Sequence, residues 1–223
     1  TPYTLTPITK GGSMSTIFMS SKGGNCTTVT AAAFSVLSAQ RNGKTLLIDL
    51  CGDVPAVLGL PESTGPGIND WLAERNTADA QALLMLGTTV TENLMVVQRG
   101  SRFVDGEPRW NALAAIISES SFNVIIDAGT GYLPDELVAV IGEVTMVVKP
   151  CYLTLRRATQ HFHPHNIIVI KEEGRALTVN DVSHVLHAPI AAQIPYDSAI
   201  SRAVDAGLLV SRAEVLFGPY FTN

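Results

Sequence analysis

The chain has 223 residues, 46% hydrophobic and 16% charged, with a formal net charge of −5; a chain this size and this apolar folds around a real core, which excludes a disordered protein. No apolar run nears the roughly 18 residues that span a bilayer, and no N-terminal run pairs a basic start with an apolar centre. Basic residues never cluster beyond the pair Arg156-Arg157, so DNA binding through phosphate neutralisation and direct membrane anchoring are not expected.

The three cysteines, Cys26, Cys51 and Cys151, are odd in number and far apart, which suits reduced thiols in a cytoplasmic protein. The chain opens with a Thr/Pro-rich peptide, residues 1–10, joined to Met14 by Gly11-Gly12-Ser13. Such a spacer is flexible. Two readings of residues 1–13 stay open: a tag remnant, or a partner's peptide tethered near its docking groove with Tyr3, Leu5 and Ile8 as anchors. Residues 14–223 are then one domain.

From Met14 onward, short apolar runs alternate with longer amphipathic ones. Strand-like runs fall at 17–20, 45–50, 94–98, 124–127, 145–149, 167–170 and 190–194. Most are continuous Val/Ile/Leu/Met stretches, as in strands covered on both faces. Helical patterns fall at 28–41, 68–74, 78–86, 109–120, 135–141, 154–162, 179–186 and 198–212. Thr178 ahead of Asp181, and Asp197 ahead of its helix, are N-cap signals. Strands alternating with helices predict an α/β domain with a mostly parallel sheet flanked by helices.

Ligands of such sheets bind beyond the carboxyl ends of the strands. The first strand runs into Ser20-Ser21-Lys22-Gly23-Gly24-Asn25-Cys26-Thr27-Thr28, the order of a phosphate-binding loop. Backbone N–H groups of such a loop cradle phosphate oxygens, and the first Thr hydroxyl ligates Mg²⁺. A Lys belongs directly before Thr27, to reach the β- and γ-phosphates. Cys26 stands there instead.

With these residues in view, the stretch from Met14 to about Arg212 resembles the ParA/MinD group of deviant Walker-type ATPases, whose loop reads Lys-Gly-Gly-x-Gly-Lys-Thr-Thr. Lys22-Gly23-Gly24 and Thr27-Thr28 match, with one residue missing between them and Asn25-Cys26 replacing x-Gly-Lys. Leu47-Ile48-Asp49 resembles the family's second strand, whose Asp-x-Asp pair positions attacking water and magnesium; Cys51 takes the second place. Val124-Ile125-Ile126-Asp127 resembles the Walker B strand, with Ala128–Gly131 as its switch loop. Ile194-Pro195-Tyr196-Asp197 resembles the closing segment.

The resemblance implies a three-layer P-loop NTPase-like fold, with ATP and Mg²⁺ as possible cofactors. It puts Lys22 and Asp49 in catalytic roles, Lys22 by crossing to the partner subunit of an ATP-sandwich dimer. Gly23, Gly24, Asn25, Cys26, Thr27 and Thr28 would bind nucleotide, and Thr27 and Asp127 would hold Mg²⁺ where nucleotide binds. Phosphoryl transfer depends on positioning and charge neutralisation, so a short loop without its Lys predicts weakened or lost ATPase chemistry. The expected function is a positioning or scaffold protein in cell division, partitioning or pilus and secretion placement. It would recognise a protein partner, for example as a short extended peptide, and could form a homodimer. An active ATP-dependent dimerising switch is the alternative, with Lys22 folding back over its own loop as the substitute cation. A weaker alternative is a thiol- or metal-dependent sensor using the cysteine edge.

The remaining polar residues take blander readings. Asp53 before Pro55 is a turn residue, and His161, His163 and His165 sit at a helix end leading into a polar turn. Arg156-Arg157 form a solvated helix face that would otherwise meet a partner's carboxylates. The apolar residues 215–221, without Lys or Arg and broken by Gly218-Pro219, are expected to pack on the body or on a partner.

Overall fold

The computed structural model describes residues 14–62, 64–74, 79–100, 107–161 and 163–221. The expectation for residues 1–13 therefore lies outside the described residues. Eight strands form one sheet: β1 (Ser15–Met19), β2 (Thr45–Asp49), β3 (Gly87–Thr91), β4 (Leu94–Val97), β5 (Asn123–Gly129), β6 (Glu143–Val148), β7 (Asn166–Lys171) and β8 (Ile190–Pro195). Their order is β3-β4-β2-β5-β1-β6-β7-β8. All neighbours are parallel except β3 and β4, an antiparallel hairpin at one edge.

Helices cover both faces, giving three layers. On one face lie α1 (Thr27–Arg41), α2 (Val54–Leu58), α9 (Ser198–Asp205) and α10 (Leu209–Phe217), packed on Phe18, Leu47, Ile125, Val147 and Ile168. On the other lie α3 (Ile68–Ala73), α4 (Ala80–Met85), α5 (Trp110–Glu119) and α6 (Asp135–Val140) over Ile17, Ile48 and Ile126. Next to them α7 (Tyr152–His161) and α8 (Val179–Leu186) cover Met146, Val148 and Val169. Each large apolar side chain buried this way contributes about 1.5–3 kcal/mol. Central α1 is sandwiched between sheet and α10, so its residues from Thr30 to Ala39 are all buried. Asn42 and Gly43, the latter at φ 91°, end it.

The structure differs from the sequence expectations in two respects, the first an omission and the second a boundary. Strand β3 and helix α2 carry no apolar signature long enough to single out. The helix expected over 198–212 is two helices, because Gly207 adopts φ 67° and turns the chain between α9 and α10. The apolar tail is the end of α10 followed by a 3₁₀ turn, Gly218–Tyr220. Phe221 is buried against Phe34 and stacks on Phe217, which is also buried, so this tail packs on the body. Both N-cap signals are realised: Thr178 and Asp181 form a capping box, and Asp197 accepts from the Ala199 N–H.

Candidate functional site

The carboxyl ends of β1, β2, β5 and β6 meet around residues 20–26. The turn is made by Gly24 at φ 81° and by Cys26 at φ 65°, ψ 27°, immediately before α1. A left-handed non-glycine residue costs about 1–2 kcal/mol. Cys26 is half-buried, and its side chain packs on the α1-face core. It lines a cavity of about 180 Å³ with Val29, Ile194, Ile200, Val204 and Phe217. Burial pushes its thiol pKa up, with Lys149 opposing. Where the family pattern puts a cation for phosphate, this chain turns a neutral thiol toward an apolar cavity.

Asn25 is 1% exposed, and its carboxamide ties the loop down. It donates to the Ser20 hydroxyl at 2.6 Å and the Lys22 carbonyl at 3.3 Å, and accepts from the Lys149 N–H at 3.2 Å. Ser21 adds a bond from its hydroxyl to the Thr154 carbonyl at 2.8 Å. The Lys22 ammonium lies back on its own loop, donating to the Gly23 carbonyl at 2.7 Å. Lys149 points away, with Nζ 4.5 Å from the Tyr196 ring centre and 3.7 Å from Glu172 Oε1.

Asp49 and Asp127 are register neighbours on β2 and β5, both fully buried. Asp49 accepts from the N–H groups of Cys51 at 3.0 Å, Gly52 at 2.6 Å and Val54 at 3.2 Å. Burial raises its pKa, and these bonds pull it back. The carboxylate thus shapes the turn from β2 into α2. Asp127 accepts from the Gly129 N–H at 3.1 Å through Oδ1, while its Oδ2 lies 3.0 Å from Cys51 Sγ. Burial pushes Asp127 up to about 6, opposed by bonds from Cys51 and Thr28. Burial, and then the adjoining Asp127 charge, drive the Cys51 pKa far above the usual thiol range. Cys51 therefore remains S–H and donates to Asp127.

The hydroxyl brought to this pair is that of Thr28, with Oγ1 3.7 Å from Cys51 Sγ. Thr27 sits beside it as the first residue of α1, 7% exposed. Two further residues at the carboxyl ends of strands complete the site. Arg99, just past β4, donates to the Cys51 carbonyl at 2.8 Å. Gly129, at φ 54°, leaves room for the thiol: a Cβ there would lie 3.1 Å from Cys51 Sγ. Only the convergence of β2, β4 and β5 brings these together.

The donor set does not fit magnesium. Mg²⁺ demands near-octahedral oxygen ligands at about 2.0–2.1 Å. Here the outer oxygen of Asp127 is bonded to a thiol, and Cys51 replaces the second carboxylate. Elsewhere, Cys151 Sγ lies 2.9 Å from Thr154 Oγ1 at the start of α7. His165 Nδ1 accepts from the Val144 N–H at 3.1 Å, a strand-edge bond. Asp53 makes no side-chain cap bond to α2.

No protein-family model matches the sequence, and no curated protein does. Solved structures do match the fold. A ParA family ATPase from Chlorobium tepidum TLS superposes with a TM-score of 0.75 at 23% identity, covering 90% of this chain and 91% of that one. The fold is that of the ParA and MinD ATPases. The MinC:MinD cell division complex of Aquifex aeolicus gives 0.69 at 18% identity, over 92% and 96% of the two chains. MinD from Pyrococcus horikoshii OT3, complexed with Mg-ADP, gives 0.68 at 19%, over 93% and 92%. Among the described residues, no helix of this ParA/MinD-fold chain is long and apolar enough to cross a membrane.

Proposed function

We propose that this chain is a cytoplasmic ParA/MinD-like positioning or scaffold protein, acting through a protein partner, with weakened or lost ATPase chemistry. The observation that carries the reading is the 3.0 Å contact of Cys51 Sγ with Asp127 Oδ2. It occupies the carboxylate that the family pattern reserves for hydrated magnesium. The inward-turned Cys26 supports it, since a thiol there offers no cation to a phosphate, whereas Lys22 lying back over its own loop is the arrangement that the ATP-dependent alternative expects. What the fold retains is a rigid sheet edge bearing exposed Tyr132, Tyr152 and Tyr196, a residue type favoured at binding hot spots. A neighbour of the same fold is a complex with MinC, which supports partner binding, and a homodimer across this edge belongs to the same reading. The pair Arg156-Arg157, exposed on α7, is too small a basic patch to favour DNA.

Titration with a fluorescent ATP analogue and Mg²⁺ tests the reading. No binding is expected up to millimolar nucleotide. Micromolar affinity that Asp127→Ala abolishes would establish the working ATP-dependent switch instead.

A further inference from the structure

Asp49, Cys51 and Asp127 bring three ligand atoms within 4.8 Å of one another, and no other group of three His, Cys, Asp or Glu does so among the described residues. Both carboxylates are fully buried, and no salt bridge among the described residues reaches either. A buried carboxylate without a cationic partner is held by hydrogen bonds, by a proton or by a metal. The set also differs in kind from an all-oxygen one, because a thiolate is a soft ligand that favours zinc-class ions over magnesium.

We propose that Asp49, Cys51 and Asp127 form a binding site for a zinc-class divalent transition-metal ion, with the Thr28 hydroxyl or a water as the remaining ligand. Binding forms one metal–sulfur bond and releases one proton: Cys51–SH plus M²⁺ gives Cys51–S–M⁺ plus H⁺, the proton leaves to water, and nothing is oxidised or reduced. A tetrahedral ion with sulfur at about 2.3 Å and oxygen at about 2.0 Å spans an S···O edge of about 3.5 Å. Cys51 and Asp127, at 3.0 Å, therefore need to part by only about half an ångström. The surroundings are already arranged. Three backbone N–H groups orient Asp49, Arg99 fixes the Cys51 carbonyl, and the Gly129 N–H fixes Asp127. Such outer contacts hold metal ligands in place. Cys51 and Thr28 are only half-buried, so the site opens to solvent.

The proposal rests on the reading that this centre is no longer built for a magnesium nucleotide, but its test uses no nucleotide, so the two fail separately. Co²⁺ is titrated into the chelator-stripped full chain. One equivalent should bind with a thiolate-to-cobalt charge-transfer band, displaced by Zn²⁺ and retained in about a hundredfold excess of Mg²⁺. Cys51→Ser should abolish the band, while Cys26→Ser and Cys151→Ser keep it. Asp127→Asn, which keeps the thiol, should weaken Co²⁺ roughly tenfold or more and keeps the test decisive if Cys51→Ser does not fold by circular dichroism. Absence of the band in the parent chain, its survival in folded Cys51→Ser, its loss in folded Cys26→Ser or Cys151→Ser, or unchanged affinity in Asp127→Asn would overturn the proposal.

Discussion

Asn25→Ala is expected to be among the costliest substitutions in the loop. The side chain is 1% exposed and serves the Lys149 N–H, the Ser20 hydroxyl and the Lys22 carbonyl at once. Truncation leaves the Lys149 N–H and the fully buried Ser20 hydroxyl without these partners. Each buried group left unsatisfied costs about 1–3 kcal/mol, and the Ser20 hydroxyl recovers part of its share by rotating. The expected loss is therefore about 2–4 kcal/mol, a large part of the roughly 5–15 kcal/mol typical of a domain. For a chain of this size it lowers Tm by roughly 5–15 °C. Urea denaturation read by circular dichroism gives the number directly. Lys22→Ala is the control, because its ammonium bond to Gly23 is exposed and such surface changes stay within about 0.5 kcal/mol. If Asn25→Ala were as mild as Lys22→Ala, the carboxamide would not be holding the loop to β6.

Three other expectations follow from local geometry. A Cβ on Gly59, at φ 68°, would lie 2.8 Å from Gly207 Cα, whereas one on Gly207, at φ 67°, meets only Gly59 Cα at 3.5 Å. Gly59→Ala should thus cost roughly 2–5 kcal/mol from strain plus overpacking and Gly207→Ala about 1–2 kcal/mol from strain alone; denaturation midpoints in the reverse order would contradict this. Thr16 Oγ1 is buried without a hydrogen-bond partner, so Thr16→Val should be neutral or stabilising by about 1 kcal/mol, and a clear loss in the same assay would show that the hydroxyl is satisfied by a buried water. Burial raises the pKa of Glu143 above its usual 4.5, with bonds from Asn166 and Thr145 and the nearby His165 opposing. A raised folded-state value means that the group's contribution is complete below pH 4.5 and is lost as pH rises through the folded value. Glu143→Gln should flatten that part of the stability profile, and an unchanged slope would count against the assignment.

The alternation of apolar runs and amphipathic helices made the parallel sheet legible, because strands covered on both faces leave continuous Val/Ile/Leu stretches. Strand β3 was not legible for the converse reason. As an edge strand it reads Gly-Thr-Thr-Val-Thr, with no residue fully buried. Its partner β4 fixes it through pairing, which a single-segment pattern does not display. The candidate site was legible as positions and opaque as contacts. Asp49, Cys51 and Asp127 each stand after a recognisable strand, but the thiol meets Asp127 only through the β2–β5 register that sets Asp49 beside Asp127. Which of Thr27 and Thr28 faces that pair depends on the rotational phase of α1. That phase is set by Cys26 in a left-handed conformation, which a residue other than glycine gives no sequence reason to expect.

The two departures from the family pattern belong together electrostatically. Losing only the loop Lys would leave an Asp-x-Asp pair and Asp127 as buried carboxylates facing an uncharged loop, a costly arrangement. Losing only the second Asp would leave the cation without part of its counter-charge. Here both positions carry cysteine, so a positive and a negative group are absent at once. The remaining carboxylates are held by neutral donors: three N–H groups on Asp49, and one N–H and one S–H on Asp127. Neutral donors orient a buried charge without cancelling it. Asp127 shows the remainder, since its pKa still rises to about 6 despite every bond made to it. Near neutral pH the centre thus keeps its order without a nucleotide while retaining an uncompensated negative charge. In the metal site proposed above, the sulfur of Cys51, not this charge, supplies the preference for an ion softer than magnesium.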